Sequence, residues 1–374
     1  MALLMKQHAI FFLVLGIALV LWGQLRRKPP DLYATFERVV LVAVGGAIPL
    51  ALLIALFAAE GVLGQFWFWT FQYAKAYVSE VSWSDAPSTF LFGCWVVTLA
   101  MLPFWLLAGF GVIALWLGRW TADARFFLSA LLVASFLAIC PGFYFREHYF
   151  ILLLPAVALF LGVAVASLGR VCSIAVGPLR ARFISAAVFG VLAVSYVVKE
   201  RDYLFSMPTG ELSRTRYGSN PFVAAIAIAS YIREHTTPED RVAVLGSEPE
   251  IYFYADRKSA TGYLYTYALM EDQKYSTTMQ NEMIHEIETA HPKYLVFAQI
   301  FTSWLVRPQS DKTILAWVDR YTHKCYELVG IADIEPAGET RYMWEGEISR
   351  YKAASRNQVY TFRRESDTPC VTGS

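Results

Sequence analysis

Six long apolar runs fill the chain as far as Val198, and the sequence beyond them is polar and mixed. A spanning helix needs about 20 mostly apolar residues, because a bilayer offers backbone N–H and C=O groups no partner outside the helix. The runs lie at 8–25, 39–59, 93–117, 126–140, 149–168 and 183–198. They predict an α-helical multi-pass membrane bundle over 1–198, followed by a small extracytoplasmic α/β domain over 199–374.

Charge narrows the function classes. The formal net charge is only +1, which gives no basis for nucleic-acid binding, since phosphate backbones call for a clustered basic surface. Short cytoplasmic loops favour Lys and Arg. One alternate set of loops holds Arg26, Arg27, Lys28, Arg38, Arg119, Arg125, Arg170, Arg180 and Arg182; the other holds Lys6, Lys75 and Arg146. The first set is therefore expected to be cytoplasmic, which puts the N-terminus, the loops at 60–92 and 141–148, and the polar half outside. An outside N-terminus without a signal-peptide pattern implies that an odd number of helices precedes Met1. A first helix that inserts with its N-terminus outside is the alternative.

Two exterior loops concentrate chemistry. In the stretch 64–80, Phe66, Trp69, Tyr73 and Tyr77 recur at helical spacing, predicting an interfacial helix whose aromatic bodies anchor at the water–lipid boundary or touch a lipid-linked ligand. The loop Arg146, Glu147, His148, Tyr149 abuts the fifth run, where ionisable groups are costly and mark functional sites by default. Arg146 and His148 suit a phosphate, and Glu147 suits orienting them. Lys6, at the outer end of the first run, offers either a third cation or a snorkelling side chain.

The polar half reads as alternating helix and strand: helices at 221–235, 278–290 and 313–323, and strands at 241–246, 293–298, 326–331 and 359–362. That order predicts a largely parallel sheet. In the turn after the first strand, Glu248 or Glu250 is expected to cap a helix dipole. Cys94, Cys140 and Cys172 lie in or beside apolar runs, whereas Cys325 and Cys370 in the polar half are candidates for a disulfide outside the cytoplasm. No metal-ligand ladder, P-loop, GxGxxG, HExxH or internal repeat occurs, so no cofactor is identified.

Lys6 and Gln7 at a helix start, Phe68, Trp69, Thr70, Phe71 and Tyr73 in one exterior loop, and His148 and Tyr149 before Leu152, Leu153, Leu154 and Pro155 are the residues that carry a family resemblance. Stretches 217–221, 229–233 and 244–254 of the polar half extend it. The chain resembles the bacterial membrane glycosyltransferases of the GT-C type, related to protein O-mannosyltransferases and to the aminoarabinose lipid A transferase. The resemblance implies an inner-membrane enzyme that takes a sugar from a polyprenyl-phosphate donor at the outer face and passes it to a lipid, glycan or protein acceptor. It also implies a donor-phosphate role for Arg146, His148 and Lys6, a positioning role for Tyr149, and no named metal. In this family the catalytic base is an acidic residue in the first exterior loop, which here would precede Met1; Glu60, Glu80 and Asp85 belong to a later loop. The expectation is thus a C-terminal part of such an enzyme. The alternative is a catalytically silent membrane protein whose exterior α/β domain binds a glycan or protein partner. A transporter would carry ionisable residues in mid-helix, and the apolar runs are almost free of them.

Overall fold

The chain divides into two compact units, Met1–Arg201 and Asp202–Ser374, against an expected boundary at 198/199. The computed structural model describes residues 6–27, 29–335 and 339–365. Residues 1–5 and Lys28, on which the topology reading drew, and Cys370, the expected disulfide partner, lie outside the described residues.

The first unit is helical. Helix α1 (Ile10–Leu25) turns into α2 (Leu32–Ala59), whose start is fixed by Asp31 accepting from the Ala34 N–H at 2.9 Å. With that cap, α2 begins well ahead of the apolar run expected from residue 39 and carries Glu37 and Arg38 within it. Helix α3 (Leu63–Trp67) passes through a π-helical turn (Phe68–Tyr73) into α4 (Ala74–Val78). There follow α5 (Ala86–Ala100), α6 (Leu102–Leu117), α7 (Ala122–Ile139), a 3-10 turn (Glu147–Leu153) leading into α8 (Leu154–Val176), and α9 (Pro178–Lys199). Among the described residues five helices are long and apolar enough to cross a membrane, or six if the bent pair α5–α6 forms one span. The run expected as one span over 93–117 falls in this pair, whose two halves meet at Met101 with a bend of 108°. Pro103 is the cause: it has no N–H for the Leu99 carbonyl, and its ring crowds that oxygen.

Close packing falls on glycine where α6 crosses α8. A Cβ built on Gly111 would lie 2.0 Å from the Phe160 carbonyl oxygen, whereas one on Gly109 would meet nothing within 4 Å. Gly111→Ala is therefore expected to push the helices apart and destabilise the unit by about 1–3 kcal/mol. Gly109→Ala on the same helix should leave the thermal midpoint in detergent unchanged or slightly raised. Equal midpoints for the two variants would contradict this packing.

Elsewhere the unit turns apolar surface outward. No residue of α2 is buried along its 28 positions, and Leu117 and Ile174 are 84% and 89% exposed. Such a surface needs lipid or protein against it. The loops gather at two ends: Arg26 pairs with Asp123 at 2.8 Å and Arg170 lies over Trp120 at one, while Lys6 meets Tyr149 and Tyr77 meets Tyr144 at the other.

The second unit holds a six-stranded sheet in the order β2-β1-β3-β6-β4-β5. Its strands are β1 (Arg241–Leu245), β2 (Lys258–Ser259), β3 (Tyr294–Gln299), β4 (Tyr326–Ile334), β5 (Thr340–Trp344) and β6 (Gln358–Arg364). Only β1 pairs in parallel, with β2 and β3; β6 is antiparallel to both β3 and β4, and β5 to β4. The sheet is mixed rather than largely parallel, because the last strand returns through a short 3-10 turn (Glu345–Arg350) and inserts between β3 and β4 with no crossover helix. Helix α10 (Thr209–Tyr217) and strands β2 and β5 add to the elements expected from the sequence. Helix α11 (Phe222–Glu234) covers the sheet, packing Ala224, Ile228 and Ile232 with Val242, Val244 and Tyr294. Helices α12 (Glu250–Ala255), α13 (Tyr267–Met270), α14 (Ser276–Ala290), α15 (Phe301–Trp304) and α16 (Thr313–Cys325) complete the unit. Cys325, buried at the end of α16, is disulfide-bonded, whereas Cys94, Cys140 and Cys172 are free thiols.

In the turn after β1 the two carboxylates differ: Glu250 lies in the first turn of α12, where a dipole-capping carboxylate is expected, and Glu248 departs from that expectation. Glu248 does not cap α12 but points inward, only 2% exposed, with its Oε1 accepting from the Ser303 hydroxyl. Gly246 makes the room, since a Cβ there would sit 2.0 Å from Glu248 Oε2. Burial pushes the carboxyl up to about 8, with the neighbouring Glu250 adding to the rise.

Candidate functional site

The expected phosphate-facing residues stand on a loop that the chain holds under strain. Gly142, Phe143 and Phe145 all take positive φ, at 79°, 53° and 42°. A left-handed conformation at a non-glycine residue costs on the order of 1–3 kcal/mol and persists only where its surroundings dictate it. Here α5 does so: Thr89 Oγ1 donates to the Phe143 carbonyl at 2.8 Å, and Phe90 meets the Phe145 ring at 5.0 Å. Gly93 lets the Phe145 backbone approach so closely that a Cβ would lie 2.3 Å from its carbonyl oxygen. Beyond Phe145, the Tyr149 N–H closes onto the Arg146 carbonyl at 2.8 Å and starts the turn into α8.

This loop brings the expected residues together. The Arg146 guanidinium lies 5.0 Å from the centre of the Tyr144 ring, which stacks on Tyr77 at 4.7 Å and donates its hydroxyl to Glu80 Oε2 at 2.9 Å. Tyr149 is buried and forms a platform: Lys6 Nζ sits 4.0 Å above its ring, and the imidazoles of His148 and His8 meet it edge-on at 4.6 and 5.8 Å. The charges of Lys6, Arg146 and Glu147 all reach the His148 imidazole. Trp69, Tyr73 and Tyr77 run in a chain of ring contacts at 5.2 and 6.3 Å that leads to Tyr144. Gln7 ties the start of α1 to the same segment by donating to the Thr70 carbonyl at 2.7 Å.

The chemistry offered is anion binding beside an apolar channel. Arg146 and His148 are exposed, and neither Lys6 nor Arg146 forms an ion pair among the described residues, so their charge is uncompensated. Phe150, the residue after Tyr149, lines a groove of about 460 Å³ together with Phe90, Trp105, Leu132 and Phe136. Its walls are apolar apart from Cys94 and Thr98. Glu147 is exposed and pairs with no cation among the described residues. No group of three or more His, Cys, Asp or Glu able to hold a metal occurs among the described residues.

Four further residues belong to the cluster: His8, Glu80, Thr89 and Tyr144. Tyr144 is legible as an aromatic two residues before Arg146. Glu80 and Thr89 join through contacts 64 and 54 positions along the chain, which no local pattern signals. No protein-family model matches this chain, and no curated protein matches it.

Proposed function

We propose that the first unit lies in a bacterial inner membrane and serves a GT-C type glycosyltransferase, which moves a sugar from a polyprenyl-phosphate donor to a lipid, glycan or protein acceptor. The observation that carries this reading is the pair of cations Lys6 and Arg146, with the exposed His148 imidazole between them in the cluster and an apolar groove lined by the adjoining Phe150. A polyprenyl phosphate has the matching form, an anionic head on a long apolar tail. In the reaction an acceptor oxygen forms a bond to the anomeric carbon as the bond from that carbon to the phosphate oxygen breaks. The electron pair leaves with the phosphate, and the acceptor oxygen's proton passes to a carboxylate base of the kind this enzyme class uses. Hydrogen-bond donors and cations stabilise that developing charge best when they stand in place beforehand, and the strained, pinned loop carries the Arg146 guanidinium and the His148 imidazole in this way. Tyr149 supports Lys6 and His148 from below, and Glu147 orients the imidazole. On this reading the site and the α/β unit face the outside, and the basic loops face the cytoplasm.

The test is binding of polyprenyl phosphate and of the uncharged polyprenol to the full chain in proteoliposomes. The phosphate should bind at least about tenfold more tightly, and His148→Ala should remove about tenfold of that affinity while the chain stays folded. Equal binding of the two lipids would sink the reading. Sugar transfer from the loaded donor, lowered by the same substitution, would extend it to catalysis.

A further inference from the structure

We propose that a second groove, between α8 and α9, holds an anionic glycerophospholipid, with its phosphate against Arg170 and Arg182 and an acyl chain along the helix pair. The groove has a volume of about 720 Å³ and shares no lining residue with the groove beside Tyr149. Leu161, Val165 and Phe189 give it apolar walls, and Arg170, Ser173 and Arg182 stand at its other end. From Ala158 to Ser173 it follows α8 for about 22 Å, at the usual rise per residue, which is more than half of a hydrocarbon core of about 30 Å. It is open at Gly162, where a Cβ would meet nothing within 4 Å, and narrows at Gly169, where a Cβ would lie 3.1 Å from the Ser185 hydroxyl.

Charge selects the occupant. The Arg170 guanidinium is held 4.3 Å from the Trp120 ring and donates to the Arg119 carbonyl at 3.4 Å, so its position is set without a carboxylate. Neither Arg170 nor Arg182 forms an ion pair among the described residues. Two guanidinium groups without an ion-pair partner among the described residues, one of them held in place, at one end of a membrane-depth apolar groove match a phosphate carried on an acyl chain. They lie in the last turns of α8 and the first turns of α9, the helix ends that meet at the basic connection expected on the cytoplasmic side, where anionic phospholipids concentrate. The inference rests on membrane insertion of the first unit but on no step of sugar transfer.

Titration of the purified full chain in detergent with phosphatidylglycerol and with phosphatidylcholine, read by native mass spectrometry, tests it. Phosphatidylglycerol should bind about tenfold more tightly. Arg182→Glu, at an exposed position, should abolish the preference. Gly162→Leu, which fills the groove, should weaken both lipids and leave polyprenyl-phosphate binding unchanged. Equal affinities in the wild type, or a preference that survives Arg182→Glu, would overturn the inference. So would displacement of phosphatidylglycerol by a lower concentration of polyprenyl phosphate, which would assign the groove to the donor lipid. Release of the chain from membranes by carbonate would overturn membrane insertion itself.

Discussion

With both Arg146 and His148 replaced by alanine, the chain is expected to bind a polyprenyl phosphate about a thousandfold more weakly, with the first unit still folded. Each removes one charge-assisted contact to phosphate, worth about 1.5–3 kcal/mol. Both side chains are exposed, so truncation leaves no cavity and no buried unpaired group. The loop should keep its shape, because Thr89, Phe90 and Gly93 hold Phe143 and Phe145 rather than the charged residues. Because the two groups would share one phosphate, the double variant should differ from the sum of the singles, and the cycle of four affinities measures that coupling. Tyr144→Phe breaks the bond to Glu80 Oε2 but keeps the ring under Arg146, and should lower affinity only about threefold. If the double variant bound as well as the wild type, the phosphate site would lie elsewhere.

The parts of this arrangement that are legible in the sequence are those that local chemistry dictates. Apolar runs announce helices because lipid demands it, and Arg146, His148 and Tyr149 stand out because charge beside a span is costly. What stays hidden depends on contacts between distant segments. Glu80 reads in the sequence as one more loop carboxylate, yet Tyr144, 64 positions away, donates to it. Pro103 signals the bend at Met101, but a single proline in an apolar run does not separate a sharply bent pair from one kinked span. The π-helical turn at Phe68–Tyr73 leaves no mark in aromatic spacing that an ordinary helix would not share. In the second unit, strands β1, β3, β4 and β6 are visible as apolar segments, but their partners are not. Val359 faces a buried core whether its strand lies at an edge or between β3 and β4, so burial pattern alone does not reveal the antiparallel insertion.

Glu248 shows the same limit and gives a second large effect, on stability. The sequence places a carboxylate one residue before a proline at a helix start, which suggests dipole capping; the fold instead buries it under Ser303 from 55 positions away. Its Oε2 has no partner among the described residues, so the ionised form has little to offset its lost hydration. Burial raises the carboxyl from 4.5 to about 8 in the folded chain. The folded state thus holds this proton more tightly than the unfolded state does. Its contribution to stability is complete below about pH 4.5, declines as pH rises through the window up to about 8, and is absent above it. Every tenfold gain in proton affinity on folding is worth about 1.4 kcal/mol, which sets a ceiling of about 5 kcal/mol for the loss. Glu248→Gln keeps an acceptor for Ser303 and cannot ionise, so the second unit of this variant should lose much less stability across that window, with the remaining slope coming in part from Glu250, whose carboxyl burial also raises, and should be more stable than the wild type at about pH 9. Pulse proteolysis in urea, following the second unit of the full chain from about pH 5 to about pH 9, reads both curves. Parallel curves for the two proteins would mean that Glu248 is ionised in the fold, and that the turn after β1 gives its carboxylate a partner.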